Sequence, residues 1–302
     1  MPPDRIELPH PVDLARTVRP LVRGRGDPTC CVDGPTLWRT LRTEDGPATL
    51  RLTQIDRATI EVEAWGPGAD RAWATAPSLA GALDDPAAFP LPAHPAVAEA
   101  LRRRHDVLLT RTDPFPVLVA AIVEQKVTGM EARRAWRSIA LATAEAAPGD
   151  AGLTLPPDPA RLAGLPSWEL TKVGVTDRRA ATLREVARHP RRIGLLATEP
   201  LADARTWLAK LPGVGPWTVA EVSRLALGDP DAVSVGDFHL PHIVAWNLAG
   251  EPRGTDERML ELLAPYAGQR GRVQVLLESS GASAPRFGPR MAPRVIEPAP
   301  RG

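Results

Sequence analysis

Two short stretches of the chain hold residue types that could do chemistry together. The first is Leu211-Pro212-Gly213-Val214-Gly215-Pro216-Trp217-Thr218-Val219-Ala220. Gly213 and Gly215 permit a tight turn with unencumbered amides. Leu201, Ala204, Leu208 and Leu211 form an apolar stripe before it, and Val219, Val222 and Ala226 form another after it, so the turn should join two helices. Amides gathered at a helix start make an anion site for which phosphate is a natural occupant. A plain helical hairpin, whose glycines serve only the turn, is the alternative. The second stretch is Val235-Gly236-Asp237-Phe238-His239-Leu240-Pro241-His242. Gly236 breaks the chain, Asp237 is placed to cap a helix, and Pro241 is tolerated in its first turn. That carboxylate either caps and does nothing more, or also stabilises positive charge developing on a bound group. His239 and His242 lie one helical spacing apart with no third ligand nearby, so no metal site is expected and the two read as polar lining or capping residues.

Those stretches need a scaffold, and the chain divides into three zones. Residues 1–92 read as a mixed α and β unit. Asp13 should cap a short helix through Val18 and Leu21, ended by Gly24 and Gly26. Leu37 to Arg42 reads as a strand, and Asp45-Gly46 as a hairpin turn. Ala48, Leu50 and Leu52 alternate with Thr49, Arg51 and Thr53, and Ile60, Val62 and Ala64 alternate with Glu61 and Glu63 until Gly66-Pro67-Gly68. The expectation is a small antiparallel sheet with one wet face. Beyond a Pro-rich link ending at Pro95, residues 93–279 read as helical. Leu118, Ala121, Ile122 and Gln125 share a face, Thr128 and Glu131 form a capping box, and Asp177 opens a helix through Val186. Residues 280–302 are rich in Pro and Arg with few large apolar groups, the composition of a flexible tail.

Composition narrows the class but not the partner. The chain has 302 residues with 37 basic and 36 acidic side chains, so net charge argues neither for nor against an acidic ligand. Only three of the basic residues are lysines, Lys126, Lys172 and Lys210, and an Arg-rich proteome explains that skew as well as a functional surface does. Cys30 and Cys31 are adjacent, which excludes an iron–sulfur site and fits a reducing compartment. No apolar run approaches the length of a membrane span, and the first residues lack the apolar stretch of a signal peptide.

Taken together, the glycine corner, its helix and Asp237 about twenty residues on resemble the helix-hairpin-helix DNA glycosylases. Asp113-Pro114-Phe115 followed by Ala121-Ile122-Val123-Glu124-Gln125-Lys126-Val127-Thr128 is similar to that family's opening core helix and Gln-containing turn. Gly174-Val175-Thr176-Asp177-Arg178-Arg179-Ala180-Ala181-Thr182-Leu183 is similar to its Gly-x-(Ser/Thr)-x-x-(Arg/Lys)-Ala-x-x-Leu stretch. Within the family the chain looks most like the bacterial inducible 3-methyladenine (alkylbase) glycosylases, which carry an α+β domain ahead of an all-α core.

The resemblance implies roles residue by residue. Asp237 matches the catalytic Asp. Trp217 matches an aromatic pocket wall that would stack on a cationic alkylated base, although packing in the core is its other reading. Phe238 and Tyr266 are the further aromatic pocket residues. Gln125 and Lys126 occupy the turn that fills the gap left by a flipped base, with a solvated turn as the alternative. Lys210, Gly213, Val214, Gly215 and Thr218 would meet DNA phosphates, and Arg178 and Arg179 could reach others. Glu221, one turn after Trp217, departs from an aromatic pocket and reads as a solvated side chain. Bifunctional members use a Lys where this chain has Trp217, so no Schiff base is expected and the enzyme should be monofunctional. The expected partner is duplex DNA holding a damaged base. No membrane and no required cofactor are expected, with a monovalent cation at the hairpin as an option. The expected state is a monomer in the cytoplasm, associated with the nucleoid. The rival readings are a non-catalytic hairpin module that only binds DNA, and a glycosylase for other damaged bases.

Overall fold

Alternating side chains build the first part of the molecule. In the computed structural model, which describes residues 4–90 and 92–281, five strands form one antiparallel sheet. They are β1 (Asp4–Glu7), β2 (Cys30–Asp33), β3 (Thr36–Thr43), β4 (Gly46–Gln54) and β5 (Thr59–Trp65), in the order β1-β5-β4-β3-β2. Leu37 pairs with Leu52 and Leu41 with Ala48, and Leu52 pairs in turn with Val62, so one face carries a continuous apolar layer. The three central strands are those predicted from alternation. The two edge strands escaped it because Asp-Arg-Ile-Glu and Cys-Cys-Val-Asp are four residues each and mostly polar or unpatterned.

The second face is not simply wet. Residues 145–156 lie across it: Thr49 Oγ1 donates to the Pro148 carbonyl at 2.5 Å, Thr40 Oγ1 to Thr154 at 2.7 Å, and Arg42 Nε to Pro156 at 2.9 Å. Trp38 and Trp65 stack on that side at 5.4 Å, with the Arg51 guanidinium against both rings. Alternation reports which side chains share a face, but a cover from a remote segment leaves no mark on it.

The helices are α1 (Leu14–Val18), α2 (Ala69–Leu79), α3 (Pro95–Arg104), α4 (Pro114–Glu124), α5 (Gly129–Ala142), α6 (Pro159–Gly164), α7 (Ser167–Lys172), α8 (Asp177–Val186), α9 (Pro190–Leu195), α10 (Leu201–Leu208), α11 (Pro216–Ala226), α12 (Leu240–Ala249), α13 (Asp256–Leu263) and α14 (Arg270–Ser280). Asp13 caps α1 as its position predicts, and Thr128 with Glu131 closes a reciprocal capping box on α5. Pro190 occupies the first turn of α9, where its missing N–H costs nothing.

Helix α4 is the hub. Every residue from Pro114 to Val123 is buried, so it is apolar on all sides rather than along one stripe, and it packs against α5, α8, α9 and α11. The main apolar cluster runs from the sheet into α4 and on to α8, α10 and α11. A second cluster joins α3 to α12, α13 and α14. A buried ion pair between Asp84 and Arg272 ties the segment ahead of α3 to α14. The expectation of a flexible tail falls, from residue 282 onward, outside the described residues. Among the described residues no helix is long and apolar enough to cross a membrane.

Leu118 is fully enclosed in α4. Leu118→Ala should cost about 2–5 kcal/mol and lower the denaturant midpoint with its slope unchanged, measured by equilibrium unfolding followed by circular dichroism.

Candidate active site

The glycine corner forms because α10 and α11 both need their apolar faces covered. Leu211 N donates to Leu208 O and Val214 N to Leu211 O, closing two successive turns. Val214 is buried, so its side chain pins the turn to the core. Gly213 has φ +82°, and a Cβ there would lie 2.0 Å from Thr182 Oγ1 of α8. Gly215 is extended, and a Cβ there would meet nothing within 4 Å. The corner is therefore crowded on its α8 side and open in front of Gly215. Lys210 is exposed at its start.

Gln125 turns inward onto this corner. Its Nε2 donates to Gly213 O at 3.0 Å and to Thr218 Oγ1 at 2.9 Å. That is a correction to the reading of Gln125 as a group that fills a gap in DNA: in this conformation its donor protons hold the hairpin. Thr218 is corrected in the same way, because it is 1% exposed and faces Gln125 rather than solvent. Lys126, next in the chain, is exposed and has φ +54°, the one positive φ among described non-glycine residues. Such a backbone costs about 1 kcal/mol or more and persists where its surroundings impose it. Arg179 does not reach outward either; it is buried and donates to Val123 O at 2.7 Å and Gly174 O at 2.8 Å. Arg178 stays exposed and, with Arg184, Arg188, Pro212 and Gly213, borders a groove of about 520 Å³ beside the hairpin.

Asp237 lies on the segment between α11 and α12. Its Oδ1 accepts from His239 N at 2.7 Å and Leu240 N at 2.9 Å, so it does cap α12, from two residues ahead of the helix's first flanking position. Its Oδ2 accepts from the Trp217 indole nitrogen at 3.0 Å. Three donors fix the carboxylate, and it stays only partly buried beside Gly236 and Phe238, which are exposed. Trp217 is half-buried with its ring against the main cluster, so the structure shows it in its packing role.

The other two aromatic residues differ in their surroundings. Phe238 is 80% exposed and makes T-shaped contacts with His239 and His242, at 5.0 and 6.3 Å between ring centroids. It stands beside Asp237 but encloses nothing. Tyr266 is 2% exposed and stacks on Phe89 at 6.1 Å within the second cluster, so it is a core residue and not a pocket wall. An aromatic residue supplies apolar area to a core as readily as to a pocket, and its place in the chain does not say which. Glu221 is not solvated: it accepts from Arg224 Nη2 at 2.8 Å and from Ser234 Oγ at 2.5 Å, and both charged side chains are buried. The i, i+3 spacing of Glu221 and Arg224 was the available signal for that pair; nothing local pointed to Ser234.

No protein-family model matches the chain, and no curated protein matches it in sequence. Solved structures do match in shape. The 3-methyladenine DNA glycosylase of Archaeoglobus fulgidus superposes with a TM-score of 0.76 at 17% identity, over 92% of this chain and 98% of that one. The chain has the fold of DNA glycosylases. The protein described as MBOgg1, in complex with a low-affinity DNA ligand, gives a TM-score of 0.71 at 14% identity over 93% of this chain and 96% of its own. The 8-oxoguanine glycosylase/lyase of Clostridium acetobutylicum, in complex with double-stranded DNA, gives 0.66 at 11% identity over 91% and 96%.

The hairpin geometry separates its two glycines. Gly213→Ala should lower stability by about 1–3 kcal/mol from backbone strain alone, with the Thr182 collision adding to it, whereas Gly215→Ala should stay within about 0.5 kcal/mol of the parent. Urea titrations of the two variants check this.

Proposed function

We propose that the chain is a DNA glycosylase that takes an alkylated base such as 3-methyladenine out of the duplex and hydrolyses its N-glycosidic bond. The observation that carries the reading is the fixed Asp237 carboxylate, hydrogen-bonded to Trp217 at the start of the helix that the glycine corner opens. The shared fold with a 3-methyladenine glycosylase supports the same reading.

Glycosidic cleavage develops positive charge on the sugar. A carboxylate about 4 Å away, at an effective dielectric near 20, stabilises that charge by roughly 4 kcal/mol, about a thousandfold in rate. Oδ1 is occupied by the cap and Oδ2 by one indole donor, and a carboxylate offers about four acceptor sites. The carboxylate therefore keeps capacity to face the sugar or orient a water. The open front of the corner at Gly215 suits a phosphate of the same strand, which sets register without reading sequence. An N-alkylated purine is cationic, so the Trp217 face favours it over a neutral base. Exposed Phe238 is placed to stack on a base brought to Asp237. Lys126 is the outward-facing member of its turn and so the group available to enter the duplex. With Trp217 where a Schiff-base lysine would stand, the reaction ends at base release and leaves the strand uncut.

The test is base release from a methylated duplex. Wild type should free 3-methyladenine, and Asp237→Asn, which keeps the cap's acceptor oxygen, should lose about a thousandfold in single-turnover rate with unchanged duplex affinity. Equal release by both proteins would remove Asp237 from the chemistry, and duplex binding without release by wild type would favour a binding module. Gly215→Ala should weaken duplex binding about tenfold and reduce the slope of affinity against salt by about one, read by fluorescence anisotropy.

A further inference from the structure

The stretch from Leu227 to His239 that carries Asp237 has neither helix nor strand ladder over its last seven residues, so something else must fix it. Ser234 is the residue at which neighbouring helices take hold. It is completely buried. Its Oγ donates to Glu221 Oε1 of α11 at 2.5 Å and accepts from Gln274 Nε2 of α14 at 3.2 Å. Its backbone N–H donates to Gln274 Oε1, also at 3.2 Å. Its carbonyl accepts from Asp237 N at 3.1 Å, which closes a turn from Ser234 to Asp237. Gly236, inside that turn, has φ +89°, and its N–H donates to the Asp256 carboxylate at the start of α13.

Helix α11 thus grips the Asp237 segment twice. Trp217 holds the carboxylate directly, and Glu221, one helical turn further on, holds the turn that carries it. Residues four apart lie on one face of a helix about 6 Å along its axis. The helix therefore sets the distance between the direct hold and the indirect one. Burying Glu221 is costly, and Arg224 offsets its charge at 2.8 Å. Such buried pairs contribute little net stability compared with apolar packing, so a geometric role is the better account of this one.

We propose that Ser234, clamped between Glu221 and Gln274, is a positioning residue that sets the Asp237 carboxylate against the Trp217 indole. The catalytic meaning of this placement rests on the function proposed above; the placement itself does not. Removing the hydroxyl frees the turn to shift, and the Asp237–Trp217 hydrogen bond loosens while the helices around it stay packed. Misplacement on that scale lowers the rate of a chemical step more than it lowers ligand affinity.

The experiment reads the Trp217 indole N–H resonance in nitrogen-15 labelled protein, assigned with Trp217→Phe and calibrated with Asp237→Ala, which deletes the acceptor. In Ser234→Ala the resonance should move toward its position in the Asp237→Ala protein, and Ser234→Thr, which keeps a hydroxyl, should return it toward wild type. Gln274→Leu, which releases the other side of the clamp, should move it in the same direction and serves if Ser234→Ala does not fold. In parallel, single-turnover base release by Ser234→Ala should fall about ten- to a hundredfold at unchanged duplex affinity, with recovery in Ser234→Thr. A folded Ser234→Ala or Gln274→Leu protein whose indole resonance stays at the wild-type position overturns the proposal. Loss of activity in wild type would instead overturn the glycosylase reading, and the resonance would still decide the clamp.

Discussion

The hydrogen bond between the Trp217 indole and the Asp237 carboxylate joins two parts of the chain that are separated by a helix and an irregular loop. Around it the capping of one helix and the grip of another fall on the same carboxylate. Asp237 satisfies two orphan amides at the start of α12, so the helix depends on the carboxylate. The carboxylate in turn depends on α11 for its orientation, and α11 is set by its packing on α4. A buried apolar helix in the middle of the molecule and a polar contact at its surface are thus successive links in one chain of constraint.

The hairpin shows the same sharing of roles. Gly213 is crowded by Thr182, and its carbonyl is held by Gln125. The turn is therefore shaped from behind by α4 and α8, and its front is left clear at Gly215. Polar side chains that looked available for a ligand, Gln125, Thr218 and Arg179, are used to build the surface instead. What they present outward is backbone, which suits contact with a phosphate chain of any sequence.

Local pattern and local chemistry carried much of this. Two of the central strands followed from alternation and α1 and α5 from their caps, whereas the relation of Asp237 to the glycine corner came from the resemblance to a known family and not from the residues alone. The edge strands did not follow from alternation, because four residues, mostly polar in one and unpatterned in the other, are too few to show a period. Tyr266 was misplaced for a related reason: it is enclosed in the cluster of α3, α12, α13 and α14, which elements far away in sequence bring together. The clamp on Ser234 needed Glu221 and Gln274, 13 and 40 residues distant, to come together. Burial of a charged residue is a tertiary fact, and Glu221 beside Arg224 has the spacing of a surface pair.

Asp237 and Glu221, both held at α11, have different surroundings. Glu221 is enclosed, and one of its oxygens is shared by Arg224 and Ser234. A cation already neutralises it, so it has little attraction left for a sugar bearing positive charge. Asp237 is held by three uncharged N–H donors and stays partly open beside exposed backbone. Neutral donors orient a carboxylate without cancelling its charge, and partial exposure lets a ligand approach it. Electrostatic stabilisation of a developing cation needs an anion that is both fixed and uncompensated. Of the two, Asp237 is the one the function proposed above can use, because it is fixed and partly open, whereas Glu221 is enclosed and paired directly with Arg224.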